Sequence, residues 1–147
     1  MARKVFFSFK YDDVNRAMIV RNSGVITGER KAGFIDHADF EKLEQEGDAA
    51  IKRWIDSQLE GSSVTVVLVG ANTNKSKWVK YEIEQSIARG NGLLGIDISK
   101  VADFDRPTTD CCAEMPKGYD FYRWNKDNGR ANLEAWIEKA ANDAGRC

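Results

Sequence analysis

The sequence has too little of three features to fit several common classes of protein. It has one histidine, His37, which excludes a multi-histidine zinc site. Its longest apolar run spans residues 64–69, whereas a membrane helix needs about 20 such residues. Its net charge is -1, from 22 Lys and Arg against 23 Asp and Glu, so no overall basic field attracts nucleic acid. We therefore expect no metal, no membrane and no nucleic acid among its partners.

Cysteine is also scarce. Cys111, Cys112 and Cys147 make an odd count with one adjacent pair, which is not the pattern of a disulfide framework. A reducing compartment, the cytoplasm, is therefore the expected location. Lys10 and two aspartates interrupt the only candidate for a signal segment near the N-terminus. The adjacent pair fits two free thiols or a redox-sensitive pair, and the sequence leaves its role open.

Length and composition predict a single domain over residues 1–147. Two prolines and twelve glycines argue against a long linker or a fibrous repeat. Hydrophobic residues make up 42% and charged residues 31%, which is ordinary for a globular protein with its own core. The patterning is clear over residues 4–98, which we expect to form the core of the domain, and weaker over 99–147.

The order of hydrophobic patterns predicts an open α/β sheet. Apolar or β-branched runs predict strands over 4–9, 34–36, 63–69, 93–98 and, more briefly, 119–124. Apolar residues at helical spacing predict helices over 11–21, 48–59 and 76–89 and one near the C-terminus. This alternation predicts a mostly parallel sheet with helices on both faces.

Local signals predict where some of these helices begin and end. Asp48 and Ser76 are the expected N-caps, because their side-chain oxygens can accept from free N–H groups of the first turn. Gly61 is expected just past a helix end, where a left-handed conformation is common. The acidic segment 37–47 is expected to be a loop with at most a helical turn.

Ligands of open α/β sheets bind in the crevice beyond the carboxyl ends of the strands. The segments expected there, 9–13, 36–39 and 70–76, are rich in polar residues. No G-x-G-x-x-G follows the first strand and no G-x-x-x-x-G-K-[ST] occurs, which argues against a Rossmann dinucleotide site and excludes a P-loop. The strand over 63–69 ends without a carboxylate, which argues against a phosphorylated receiver domain.

The helix predicted over 76–89 carries the most informative pair of side chains. Trp78 and Glu82 lie one turn apart, on the flank of a buried line predicted to contain Val79, Ile83 and Ile87. A glutamate at that position faces a crevice, and a tryptophan beside it can wall off water or stack on a flat ring. The alternative is that Trp78 belongs to the core and Glu82 pairs with a neighbouring lysine at the surface.

Six short motifs between residues 4 and 98 form an ordered set. They are F-S-F at 7–9, I-V-R-N at 19–22, G-F-I-D at 33–36, G-D at 47–48, W-V-K-Y-E-I at 78–83 and G-N-G-L-L-G-I at 90–96. Each motif alone is weak. Together and in this order, they resemble the TIR-like domain of the bacterial Thoeris anti-phage system.

The resemblance implies a flavodoxin-like fold and an NAD-consuming enzyme in a bacterial cytoplasm. In TIR enzymes the catalytic glutamate lies in a W-x-x-x-E context, which implies Glu82 as the catalytic residue with Trp78 beside it. The family also implies a sensor that converts NAD into a cyclic ADP-ribose isomer once a phage component triggers it. That diffusible nucleotide would activate a partner effector that depletes NAD. NAD is the implied substrate, and no cofactor is expected.

Other residues are predicted to form the pocket around the glutamate. Phe9, Tyr11 and Trp78 are predicted to wall the substrate and exclude water. Asp36 and Asn72 are added on position alone. Two other functions stay open: a noncatalytic TIR-type interaction module, and a regulator that binds a nucleotide reversibly. The sequence also leaves self-association into a homo-oligomer open.

Overall fold

The structure, a computed structural model, describes residues 4–10, 13–21, 31–33, 37–70, 73, 76–101 and 118–145. Its strands are β1 (Lys4–Phe9), β2 (Lys31–Ala32), β3 (Ser62–Val69), β4 (Gly92–Asp97) and β5 (Asp120–Arg123). Its helices are α1 (Val14–Arg21), α2 (His37–Glu46), α3 (Asp48–Leu59), α4 (Lys77–Ala88) and α5 (Gly129–Asp143).

The five strands form one parallel sheet in the order β2-β1-β3-β4-β5. The central strand β3 is mostly apolar and buried almost throughout, as expected for a strand covered on both faces. The direction of winding reverses between β1 and β3, which is the order of flavodoxin-like folds. The predicted fold class is therefore confirmed.

Helices cover both faces of this sheet, because side chains alternate along each strand. Phe7 of β1 belongs to a large apolar cluster with α1 and α5, through residues such as Val20 and Leu133. Phe6, its neighbour in sequence, points to the other face and packs with Ile51 and Ile55 of α3. Val79 of α4 packs on that second face against Val67, Val69 and Leu93. The second face is the one that carries the candidate site.

The acidic segment 37–47 is a helix, so the prediction of a loop was wrong. Within α2, Phe40 and Leu43 lie one turn apart and are partly buried, and Leu43 packs against the cluster around Phe6. The acidic residues of α2 point to solvent. The acid-rich composition hid a short apolar stripe, which is enough for a surface helix when a neighbouring helix covers it.

Most of the predicted helix ends agree with the structure. Ser76 caps α4, since its hydroxyl accepts from the Val79 N–H at 3.2 Å, and Gly61 follows α3 with φ +79°. Asp48 is not the cap of α3; Gly47 is, with φ +100°. Gly47 joins α2 to α3 without a loop, and glycine adopts this left-handed conformation at little cost.

The first helix begins at Val14 rather than at the predicted residue 11. Residues 34–36, predicted as a strand, lie outside the described residues, and that prediction stays untested. The described strand β2, Lys31–Ala32, was not predicted and pairs beside β1. In the part of the chain that the structure describes, none of the helices is both long enough and apolar enough to cross a membrane.

Candidate functional site

A cavity of about 290 Å³ opens at the carboxyl end of β1, between the second face of the sheet and the helices α2, α3 and α4. This is the end of the sheet at which ligands of open α/β folds bind. Its walls combine aromatic rings with a few charged groups. They include Phe9, Lys10, Gly33, Phe40, Glu44, Ile51, Trp54, Ile55, Ser76, Lys77, Trp78 and Glu82.

Helix α4 turns Val79 toward the sheet as predicted, together with two polar residues, and the prediction was wrong for Ile87. Its buried residues are Val79, Glu82 and Ser86, whereas Ile83 is only partly buried and Ile87 is 45% exposed. The prediction placed apolar residues inward by spacing alone. The sheet beneath α4 presents hydroxyl groups, and polar helix residues facing them can satisfy their hydrogen bonds there.

Glu82 is buried at the wall of the cavity, with 5% of its surface exposed. Ser8, which is buried on β1, donates its hydroxyl to Glu82 Oε1 at 2.9 Å. One turn further along α4, Ser86 donates to the Glu82 carbonyl oxygen at 2.7 Å, and its hydroxyl lies 2.7 Å from that of Thr65 on β3. The glutamate is therefore fixed to two strands of the sheet.

The charge state of Glu82 is set by two opposing effects. Burial raises the pKa of its carboxyl group to about 8, and the hydrogen bond from Ser8 lowers it by a smaller amount. Loss of hydration penalises the charged form of a carboxyl group, whereas a donated hydrogen bond favours it. At neutral pH the free protein therefore holds a mostly protonated carboxyl group. A cation placed beside it would favour ionisation.

Trp78 lines the cavity next to Glu82 and also packs against the core. It meets Tyr81 edge to face, with ring centroids 6.3 Å apart, and packs against the cluster around Phe6. The Lys77 ammonium lies 4.8 Å from its ring centroid. Tyr81 in turn donates to Asp56 Oδ1 of α3 at 2.9 Å. Trp78 therefore both lines the cavity and packs against the core. The alternative that Glu82 pairs with a lysine at the surface is wrong, because Glu82 is buried and bonds Ser8.

Gly33, which directly follows β2, lines the cavity. This residue has φ +91°, and its N–H donates to Gln58 Oε1 of α3 at 3.1 Å. A Cβ atom at this position would lie 2.3 Å from the Phe7 carbonyl oxygen. Only glycine therefore lets the chain pass this close to β1 and close the edge of the cavity.

The structure places Glu82 and Trp78 together at one cavity. Phe9 also lines this cavity, at the end of β1, but it packs against the large apolar cluster on the other face of the sheet. Tyr11, Asp36 and Asn72 lie outside the described residues, as do Cys111 and Cys112. Within the described ranges, no group of three or more His, Cys, Asp or Glu side chains could hold a metal ion.

Sequence reasoning missed Ser8, the residue that touches the Glu82 carboxyl group. A signal for it was available, because Ser8 is the one small polar residue inside the apolar run of β1. A buried hydroxyl in such a run needs a hydrogen-bond partner, and the helix packed on that face can supply one.

A second cavity, of about 310 Å³, lies at the opposite end of the sheet between α4 and α5. Ile87, Asn91, Tyr119 and Asp143 are among its lining residues. None of the described site residues predicted from the sequence lines it, so it is separate from the cavity at Glu82.

Comparisons with known proteins agree with the resemblance found in the motifs. The family model "Thoeris protein ThsB, TIR-like domain" matches residues 6–103. A Bacillus cereus (strain MSX-D12) protein named "Putative cyclic ADP-D-ribose synthase ThsB1" is 36% identical over 141 residues, which cover 92% of this chain and 72% of that protein.

Among solved structures, the chain is similar to the TIR domain of the Toll-related receptor TRR-2 from Hydra magnipapillata. The two share 13% identity at a TM-score of 0.49, covering 95% of this chain and 98% of the other. This distant likeness carries no argument about the site.

Proposed function

Because the chain belongs to the family of the Thoeris protein ThsB TIR-like domain, we propose that it cleaves NAD and forms a cyclic ADP-ribose isomer. The bond cleaved is the one between nicotinamide and its ribose. The Bacillus cereus relative, whose name describes it as a cyclic ADP-D-ribose synthase, supports this reaction. The observation that carries the proposal is the buried Glu82 carboxyl group at the wall of a cavity.

The reaction suits a site with one carboxylate. Nicotinamide leaves a cationic ring as a neutral molecule, so its departure needs no general acid. Positive charge develops on the ribose, as in the oxocarbenium-like transition states of glycoside hydrolysis. A carboxylate fixed beside that ribose stabilises the developing charge without moving. Glu82 is held in this way by Ser8 and the sheet.

The raised pKa of Glu82 fits a cationic substrate. The carboxyl group is mostly protonated at neutral pH in the free protein, because burial raises its pKa to about 8. The positively charged nicotinamide ring lowers that pKa when it enters, since an opposite charge nearby favours the ionised form. The proton leaves to solvent, and the carboxylate that remains faces the reacting ribose.

Cyclisation requires that a group of the same molecule attacks before water does. The bond from the ribose C1′ to nicotinamide breaks, and a bond from C1′ to an adenine nitrogen or a hydroxyl of the same nucleotide forms. One proton goes to solvent, from the attacking hydroxyl or from the amino group of the attacking adenine. Trp78 lines the cavity beside Glu82 and supports the exclusion of water. We assign Tyr11, Asp36 and Asn72 to the same pocket on their sequence positions.

The cavity volume supports a particular orientation of NAD. At about 290 Å³ the cavity lies at the lower end of small-molecule sites, which span about 300–1,000 Å³. We therefore place the nicotinamide ribose inside it, against Glu82, and the adenosine half nearer its mouth.

The product acts as a signal. We propose that a phage component triggers the reaction in the bacterial cytoplasm, and that the cyclic nucleotide diffuses to a partner effector that depletes NAD. The relationship to the Thoeris protein ThsB supports this role. NAD is then the substrate, and the reaction as written needs no additional cofactor.

Mass spectrometry of infected cells tests the proposal. Bacteria expressing the wild-type chain, Glu82→Gln or the control Glu84→Gln are challenged with a panel of phages, and extracts are searched for cyclic ADP-ribose species and nicotinamide. Glu84 is exposed on the same helix, so its variant controls for lost charge. We expect product from the wild type and Glu84→Gln, and none from Glu82→Gln.

The other outcomes separate the competing functions. Equal product from all three proteins would keep the reaction and remove Glu82 from it. Phage resistance without product, unchanged by Glu82→Gln, would indicate a noncatalytic interaction module. Tight binding of NAD that is recovered intact would indicate a reversible nucleotide-binding regulator.

A further inference from the structure

A seam of polar side chains runs beneath α4, between the helix and the sheet. Its members are Ser8 on β1, Thr65 on β3, and Glu82 and Ser86 on α4, and each is at most 5% exposed. Three hydrogen bonds of 2.7 to 2.9 Å connect them. The apolar contacts of α4 with the sheet, through Val79, lie beside this seam.

Such a seam is costly unless every member is paired. An unpaired buried hydroxyl or carboxyl group costs free energy comparable to a lost hydrogen bond or more. The Thr65 and Ser86 hydroxyls pair with each other, and Ser86 also reaches the Glu82 carbonyl oxygen. These contacts fix the rotation of α4 about its axis. The Glu82 carboxyl group then accepts a side-chain hydrogen bond from Ser8.

We propose that Ser8 is a positioning residue for Glu82, whose hydroxyl fixes the direction of the carboxyl group in the cavity and stabilises its charged form. This inference rests on the proposed function for its catalytic consequence. Its structural part, the control of the Glu82 carboxyl group by Ser8, can be measured without turnover.

In the part of the chain that the structure describes, few charged groups compete with Ser8 for this role. Besides Glu82, the described charged residues that line the same cavity are Lys10, Lys77 and Glu44, while the lining residues from α3 are uncharged. Thr65, the member of the seam on β3, is uncharged and forms its hydrogen bond with Ser86. Among the described residues, Ser8 is the side chain within hydrogen-bond distance of the Glu82 carboxyl group.

A nuclear magnetic resonance titration tests the structural part. Glutamate carboxyl carbons are labelled with ¹³C, and the Glu82 signal is assigned by its loss in Glu82→Gln. In Ser8→Ala we expect the Glu82 titration midpoint to rise by about one to two pH units, as a hydrogen bond to a charged group predicts. Ser8→Cys has a side chain of similar size with a weaker hydrogen-bond donor. The Glu82 midpoint in Ser8→Cys should therefore fall between those of the wild type and Ser8→Ala.

Thr65→Val is the matched control for this titration. It removes a buried hydroxyl from the same seam but leaves the Ser8 to Glu82 hydrogen bond intact. We expect it to lower stability and to leave the Glu82 midpoint unchanged. An unchanged midpoint in both Ser8 variants, or an equal shift in Thr65→Val, would overturn the proposal.

The pH dependence of kcat/KM for NAD tests the catalytic consequence. If ionised Glu82 is required, the rate rises with pH through the pKa of the free enzyme. Ser8→Ala should move that rise to higher pH, with a loss of about tenfold to a hundredfold at pH 7 that narrows as the pH increases. A loss equal at every pH would mean that Ser8 is only structural. A shifted titration midpoint with full activity of Glu82→Gln would instead remove Glu82 from the reaction and retain its contact with Ser8.

Discussion

At the scale of single residues, the central feature is the Glu82 carboxyl group, whose pKa is raised by burial and lowered by one hydrogen bond. Burial can raise a carboxyl pKa by up to about 3–5 units. One hydrogen bond to a charged group contributes about 1.5–3 kcal/mol, or about one to two pH units. Burial therefore outweighs the Ser8 hydroxyl, which agrees with a pKa of about 8 for Glu82.

This balance predicts how stability depends on pH. The pKa of Glu82 is about 8 in the folded protein, against an ordinary value of 4.5. Between these values the folded form binds the proton and the unfolded form does not, so stability falls as pH rises, by about 1.4 kcal/mol per pH unit. Urea unfolding at pH 5 and pH 8.5 should show a smaller fall in the free energy of unfolding for Glu82→Gln than for the wild type. Parallel behaviour of the two proteins would contradict the raised pKa.

At the scale of secondary-structure elements, α4 is the one that builds the site. Its first turn carries Lys77 and Trp78, and its second turn carries Glu82. The Tyr81 hydroxyl fixes it to Asp56 of α3, and the polar seam fixes it to the sheet. Because both α3 and α4 line the cavity, their relative position affects its shape.

The cap of α4 therefore has a measurable role. Ser76→Ala removes the hydroxyl that accepts from the Val79 N–H, and should lower the free energy of unfolding by about 1 kcal/mol. Because this frays the turn that carries Trp78, we expect a higher KM for NAD as well. Ser57→Ala is the control, since the exposed Ser57 hydroxyl bonds only within α3, to the Trp54 carbonyl oxygen. Equal effects of the two variants in urea unfolding would contradict a capping role.

The sequence predicted the existence and order of most elements, because apolar periodicity and caps are local signals. It did not predict α2, whose apolar stripe is short and hidden among acidic residues. The sequence pattern also placed Ile87 on the buried side of α4, whereas the structure exposes Ile87 and buries the polar residues Glu82 and Ser86. The rotation of a helix depends on what the sheet presents to it, and the hydroxyls of Ser8 and Thr65 come from distant parts of the chain.

At the scale of the whole molecule, the parallel sheet directs the carboxyl ends of its strands to one edge. The cavity beside Glu82 lies there, on the side of α3 and α4. The other face is closed by α1 and α5, which bury the large apolar cluster. A Cβ atom on Gly92 of β4 would lie 2.5 Å from the Ala140 carbonyl oxygen, so α5 packs directly on the strand backbone.

That close packing predicts a difference between two neighbouring glycines. Gly92→Ala forces α5 away from β4 and should lower the free energy of unfolding by about 2–3 kcal/mol. Gly90→Ala places its Cβ in open space, and only its φ of +74° is unfavourable, at about 1 kcal/mol. Urea unfolding compares the two. A cost for Gly92→Ala no larger than that for Gly90→Ala would contradict the tight contact.

The site was predicted in part, and by two different kinds of signal. The W-x-x-x-E spacing and the family resemblance indicated Glu82 and Trp78, and the family itself is confirmed. Phe9 followed from its place at the end of β1. The contribution of α3 to the cavity could not be predicted, because it depends on how α3 and α4 pack on the sheet. The roles of Tyr11, Asp36 and Asn72 stay predictions.

The most direct test of the proposed site is a crystal structure of Glu82→Gln with NAD bound. The variant is expected to bind NAD without cleaving it. We predict the nicotinamide ribose in the cavity between α3 and α4, with the substituted side chain at position 82 within about 3–3.5 Å of the ribose. NAD bound elsewhere, or bound with its nicotinamide ribose away from residue 82, would contradict the assignment of Glu82 as the catalytic carboxylate.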